Sequence, residues 1–114
     1  MPATIEAKVN ENAAARGAEL KSGAEKLMQK HQLVGDVRGI GLMVALECVA
    51  DRDSKKPASK DQMAAVFEGA YQAGVMIRVS GPNIILSPPL VVTDGDVQKI
   101  LNAVDAGLTA GGAT

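Results

Sequence analysis

The sequence predicts an α+β fold: a two-layer domain in which a small, mostly antiparallel three-stranded sheet is covered by helices, in the order α-β-α-β-β-α. Three observations carry this expectation. A long stretch near the start has its apolar residues at helical spacing, a β-branched and aliphatic run follows it, and two short apolar runs flank the turn-forming "SGP". At 114 residues the chain fits one domain, spanning residues 1–114, and can bury a modest core without disulfides or metal.

The first helix is predicted from Thr4 to about His31, because Ile5, Val9, Ala13, Leu20, Ala24, Leu27 and Met28 recur three, four or seven apart. Glu6, Lys8, Glu11, Arg16, Glu19, Lys21, Glu25, Lys26 and Lys30 make its other face a solvated mixture of charges. Gly35 and Asp36 read as a turn, and the run from Val37 to Val49 reads as one long strand. On that strand Gly39 and Gly41 share a face and leave room for a close neighbour. "DRDSKKPAS" is a charged surface loop in which Pro57 excludes a central strand. Ser59 caps a second helix, with Met63, Ala64, Val66, Phe67, Ala70 and Tyr71 at helical spacing and Gly74 as its stop. Phe67 and Tyr71, the aromatic pair, are expected to pack inward.

"VMIRV" and "NIILS" are two short strands joined at Gly81 and Pro82, and Pro88 and Pro89 end the sheet because neither can donate to a ladder. Thr93 and Asp96 form an approximate capping box for a third helix carrying Val97, Ile100, Leu101, Val104 and Leu108. The tail "TAGGAT" is expected to fray.

Composition removes several functions. Twelve Lys plus Arg against thirteen Asp plus Glu leave a net charge of -1, so no basic field exists for nucleic acid or an anionic membrane. Cys48 is the only cysteine, which excludes an internal disulfide and multi-cysteine zinc sites. With charges in the N-terminal stretch and no bilayer-length apolar run, a reducing, cytoplasmic setting is expected. No HExxH, GxSxG, Walker or EF-hand spacing occurs, so no catalytic residue and no metal ligand is assigned. His31 ends a helix, where a cation suits the C-terminal dipole. Asp51 and Asp53 have no third carboxylate at metal spacing and are expected to be solvated.

Arg78 is the remaining candidate, as the one charge inside "VMIRVSGPNIILSPPLVVT". On an alternating strand it points away from Ile77 and Val79, alongside Met76 and Ser80. That face either meets solvent or opens on a cleft, where a guanidinium fork can accept a carboxylate through two charge-assisted hydrogen bonds.

The stretches "ENAAARGAELKSGAEKLMQKHQLVGDVRGIGLMVALE", "GAYQAGVMIR" and "NIILSPPLVVTDGDVQKILNAVDAGL", in this order, resemble the C-terminal small domain of class III aminotransferases, the pyridoxal-phosphate enzymes that include the ω-amino acid:pyruvate transaminases. The resemblance implies that Arg78 binds the substrate carboxylate and swings aside for amines that lack one. It also implies that the Schiff-base lysine, the pyridinium partner and the phosphate site belong to a large domain that this chain does not contain. The chain alone is then expected to be inert, with no cofactor-binding residues of its own and pyridoxal phosphate held by the complete enzyme. Expected partners are that large domain, further copies of the protein, and a small amine, amino acid or keto acid. The competing reading is a free-standing, non-catalytic α/β binding or oligomerisation module.

Overall fold

A computed structural model describes residues 5–40, 43–87 and 93–112. Its element order is α1 (Ile5–Lys30), β1 (Val34–Ile40), β2 (Met43–Asp51), β3 (Lys56–Pro57), α2 (Lys60–Gln72), β4 (Arg78–Ser80), β5 (Asn83–Leu86) and α3 (Asp94–Gly112). The α+β class and the antiparallel sheet are as the sequence predicts. The strand count is corrected from three to five.

The predicted single strand from Val37 to Val49 is in fact a hairpin. β1 pairs antiparallel with β2, Val37 opposite Leu46 and Ile40 opposite Met43. An uninterrupted apolar run carries no periodicity break to mark its reversal, so a hairpin in it reads as one long strand. Gly35 and Asp36 do not turn the chain. They sit in β1, where the register shifts between Val34 and Asp36 as a bulge. Gly39 does leave room, since a Cβ there would lie 3.2 Å from Val44 Cγ2 and 3.5 Å from Lys21 Cδ; Gly41 lies outside the described residues.

The strands run in the order β1-β2-β5-β4, and β3 pairs with the far end of β2. Pro57 thus occupies a two-residue edge strand opposite Val49, where its missing N–H costs no ladder bond. Val34, Val44, Leu46, Cys48, Ile84 and Leu86 are buried toward the helices. There they meet Leu20, Ala24 and Leu27 of α1, Met63, Val66 and Ala70 of α2, and Val97, Leu101, Val104 and Leu108 of α3. The side chains of Ile5, Val9 and Ala13 lie outside the described residues, as do Pro88 and Pro89.

Local signals place the other two helices. Ser59 Oγ accepts from the Gln62 N–H at 3.1 Å while Gln62 Oε1 accepts from the Ser59 N–H at 2.9 Å, a complete capping box. Thr93 and Asp96 do the same for α3 at 3.2 and 3.1 Å. Gly74 and Gly81 have φ of 100° and 58°, the left-handed values that end α2 and turn the β4–β5 hairpin. Of the tail expected to fray, the described part is helical as far as Gly112, where Gly107 and Gly111 let α3 seat against α2, and Ala113 and Thr114 lie outside the described residues. A Cβ on Gly107 would stand 2.4 Å from the Val66 carbonyl oxygen, and one on Gly111 would stand 2.4 Å from Val66 Cγ2. Tyr71 is likewise corrected. It stacks on Phe67 with ring centroids 6.3 Å apart, yet it is 52% exposed at the end of α2 rather than packed inward.

Candidate functional site

Because the helices cover one face of the sheet, the register dictates what the other face presents. Arg38 lies opposite Ala45, Ala45 opposite Ile85, and Ile85 opposite Arg78, so one cross-strand row has an arginine at each end. The next row runs Asp36, Glu47, Asn83, Ser80. Arg78 is exposed on this open face while Ile77, one residue earlier, is only 4% exposed and points into the core. That is the alternation expected of the strand.

The two arginines of the row differ in what they touch. Arg38 Nε donates to Asp36 Oδ2 at 3.0 Å and its Nη2 donates to Glu47 Oε2 at 2.7 Å. Its bond to Asp36, and then the charge of Glu47, hold its pKa above the ordinary guanidinium value. Arg78, three strand spacings or roughly 14 Å away, makes no side-chain hydrogen bond or ion pair among the described residues. The remaining arginines are also engaged. Arg16 pairs with Glu19 at 3.0 Å. Arg52 closes the C-terminus of α1, donating to the carbonyls of Gln32 at 3.2 Å, His31 at 2.9 Å, and Met28. Among the described residues Arg78 is therefore the guanidinium with its fork open, and it lines a concavity of about 350 Å³ with Met76, Ile77, Ile85, Leu86 and Ile100.

The other sequence candidates are structural. His31 Nε2 lies 2.6 Å from Asp105 Oδ1, and Lys30 Nζ donates to Asp105 Oδ2 at 2.8 Å, tying the end of α1 to α3. These bonds, Lys30 first, hold the Asp105 carboxyl below the usual carboxylate range. Asp51 accepts from the Asp53 N–H at 3.0 Å and from Ser54 Oγ at 3.2 Å, shaping an exposed turn. Cys48 is buried, and desolvation, aided by the charge of Glu47, pushes its thiol up to about 12, where it is inert. Among the described residues no group of three His, Cys, Asp or Glu could hold a metal, and no helix is long and apolar enough to cross a membrane. Sequence reasoning missed the Asp36–Arg38–Glu47 network and the Arg52 cap. The Asp36–Arg38 pair is local, two residues apart on one strand face, and is hidden by reading Asp36 as a turn, whereas Glu47 and the carbonyls bound by Arg52 are brought up only by folding.

Comparison with known proteins addresses what such a face belongs to. Residues 2–108 match the family model described as "Aminotransferase class-III". The taurine–pyruvate aminotransferase of Bilophila wadsworthia is 36% identical over 106 residues, covering 87% of this chain and 23% of that protein. Alanine–glyoxylate aminotransferase 2 homolog 2 of Arabidopsis thaliana, a mitochondrial protein, is 38% identical over 101 residues, covering 86% and 21%. Among solved structures, an amine transaminase from an uncultivated Pseudomonas species in its PLP-bound form superposes with a TM-score of 0.84 at 36% identity, over 90% of this chain and 23% of that one. A thermostable ω-transaminase variant from Pseudomonas jessenii gives 0.84 at 33%, over 93% and 24%. The chain thus spans less than a quarter of the length of each of these relatives. With a family model that runs through nearly all of its residues and a fold shared with solved transaminases, the chain belongs to the class III aminotransferases.

Proposed function

We propose that this chain is the C-terminal small domain of a pyridoxal-phosphate-dependent class III aminotransferase, and that it supplies Arg78 to bind the substrate carboxylate. The observation that carries the reading is the open fork of Arg78. Of four arginines it is the one with no bonded partner among the described residues, and it stands on the uncovered face of the sheet. A planar guanidinium so placed can donate two parallel charge-assisted hydrogen bonds to a carboxylate, which fixes both the position and the orientation of the acid. An amino acid or a keto acid such as pyruvate is the substrate class it fits.

The cofactor does not fit the described residues. A lysine that forms a Schiff base needs a desolvated pocket or a neighbouring cation to free its amine. Every lysine side chain described here, namely Lys21, Lys26, Lys30, Lys55, Lys56, Lys60 and Lys99, is exposed. Lys30 is in addition bonded to Asp105. Pyridoxal phosphate in the complete enzyme would therefore be held by a large domain beyond these residues, and the transfer chemistry would take place there. The open sheet face supports docking against that domain, in an enzyme that we further propose to be a cytoplasmic homo-oligomer.

The test is substrate selectivity. In the full-length enzyme that carries this chain, Arg78→Ala should lower efficiency toward pyruvate by roughly thirty-fold to thousand-fold, since a lost bidentate contact is worth on the order of 2 to 4 kcal/mol where water is excluded. Amines without a carboxylate should be affected far less. Arg78→Lys should restore activity only in part, because a point charge cannot reproduce the fork. Equal losses for both substrate classes would reduce Arg78 to a surface cation.

A further inference from the structure

Arg78 has apolar company on its own face. Met76, two residues earlier, is 73% exposed, against 59% for Met43 and 52% for Tyr71. It precedes β4 and opens onto the concavity that Arg78 lines. Ile85 stands directly opposite Arg78 in the β4–β5 register and is half-buried. All three line the same 350 Å³ concavity. Apolar walls converging on one unbonded cation are a common form of small-molecule site.

Nothing in the packing of the fold accounts for Met76. Its neighbours Val75 and Ile77 turn toward the core, whereas its thioether adds nothing to it. A long, unbranched and polarisable side chain adapts its shape to whatever rests on it. We infer that Met76 is a specificity-determining residue: it forms the apolar wall beside the Arg78 guanidinium, against which the uncharged part of the substrate packs. The inference rests on the carboxylate-binding reading of Arg78 and adds a second requirement to it. A substrate with a carboxylate is anchored by the fork and depends little on the wall. A substrate without one depends on the wall much more.

Two kinds of variant test this in the full-length enzyme, with pyruvate and 1-phenylethylamine as probes and kcat/KM measured for each. Met76→Ala should lower efficiency toward 1-phenylethylamine about tenfold, the scale at which pockets discriminate small apolar groups, and toward pyruvate less than about threefold. Met76→Leu, which keeps the volume, should restore the amine activity. Met76→Glu places a carboxylate in the same concavity within reach of Arg78, so the fork is occupied from inside. KM for pyruvate should then rise toward that of Arg78→Ala with kcat little changed, and adding Met76→Glu to Arg78→Ala should raise it no further. The thermal midpoint should be unchanged in all three single variants at position 76, because the side chain is outside the core. If Arg78→Ala is selective against pyruvate while Met76→Ala affects both probes equally, or Met76→Glu leaves the pyruvate KM unaltered, the inference fails and the role of Arg78 stands. If Arg78→Ala spares pyruvate, the carboxylate reading fails and the inference falls with it.

Discussion

Arg52 shows how much one side chain can do away from the candidate site. Its guanidinium reaches back to the carbonyls of Met28, His31 and Gln32 at and just beyond the end of α1, where helix geometry leaves oxygens short of N–H donors. Arg52→Ala should destabilise the chain by roughly 1 to 2 kcal/mol, typical of a lost charged hydrogen-bond set at the surface. Equilibrium urea unfolding measures it. Lys55, with φ of 58° in the β2–β3 turn, offers the opposite case. A non-glycine residue there carries left-handed strain of about 1 to 2 kcal/mol, only part of it recovered by glycine because the unfolded chain gains freedom. Lys55→Gly should therefore raise the unfolding midpoint slightly. Asp105 supplies the acid limb. Its folded-state pKa is depressed by Lys30 and then His31, so the stability it contributes is complete above the ordinary carboxylate value near 4 and is lost as pH falls through the depressed folded value. Asp105→Asn should lower stability at pH 7 and flatten the pH dependence between about 4 and 2. An unchanged acid limb would show that the Asp105 bonds contribute nothing in solution.

At the scale of elements, the seam between α2 and α3 is set by glycine. A Cβ on Gly69 would lie 2.9 Å from the Gly107 Cα, and one on Gly107 would lie 2.4 Å from the Val66 carbonyl oxygen. Backbone stands in the way in both cases, so neither helix can yield without separating. Alanine within a helix ordinarily gains about 1 kcal/mol over glycine. Gly107→Ala should nonetheless destabilise by about 1 to 3 kcal/mol, because overpacking outweighs propensity. Gly112→Ala, with nothing within 4 Å of its Cβ, is the matched control and should be neutral or slightly stabilising. Thermal unfolding of the pair compares them directly. A Gly107→Ala protein as stable as the control would mean that the two helices are not in close contact. The β-elements show their own restraint: β1, an edge strand, carries a bulge and the charged Asp36 and Arg38, and β3 carries Lys56 and Pro57. Both devices discourage pairing with another chain.

At the scale of the whole molecule, the shape is extended for its length. The radius of gyration is 14.7 Å, against about 13 Å for a compact domain of this length. α1 explains the excess. Its 26 residues span about 39 Å, long against a domain of this size. The open face of the sheet, with Met43 well exposed, adds apolar surface of the kind that favours association. The isolated chain should accordingly self-associate, and sedimentation velocity over a hundredfold range of concentration would show it. A sharp monomer throughout would count against the idea. The same chain should neither bind pyridoxal phosphate stoichiometrically nor transaminate, because no described lysine sits where its amine would be freed. Spectral titration, borohydride trapping and an amine–pyruvate assay decide this together, and one uniquely labelled lysine with turnover would overturn it.

The sequence by itself determined the features whose causes are local. Helical spacing placed α1, α2 and α3; Ser59 and the pair Thr93 and Asp96 marked two helix starts; Gly74 and Gly81 marked a helix end and a hairpin turn. Alternation put Arg78 opposite Ile77, and the order of motifs carried the family. Tertiary structure decided the rest, because the deciding contacts are remote along the chain. The run from Val37 to Val49 splits into two strands, and β2 gains partners on both sides, Arg38 opposite Ala45 and Ile85 on the other flank. Gly111 reads as part of a fraying tail and Gly107 carries no signal of its own, until Val66, some forty residues away, makes both a packing requirement. Arg38 and Arg78 look equally exposed on the page of the sequence. Folding sets Glu47 within 2.7 Å of Arg38, beside its strand neighbour Asp36, and places no described acid against Arg78.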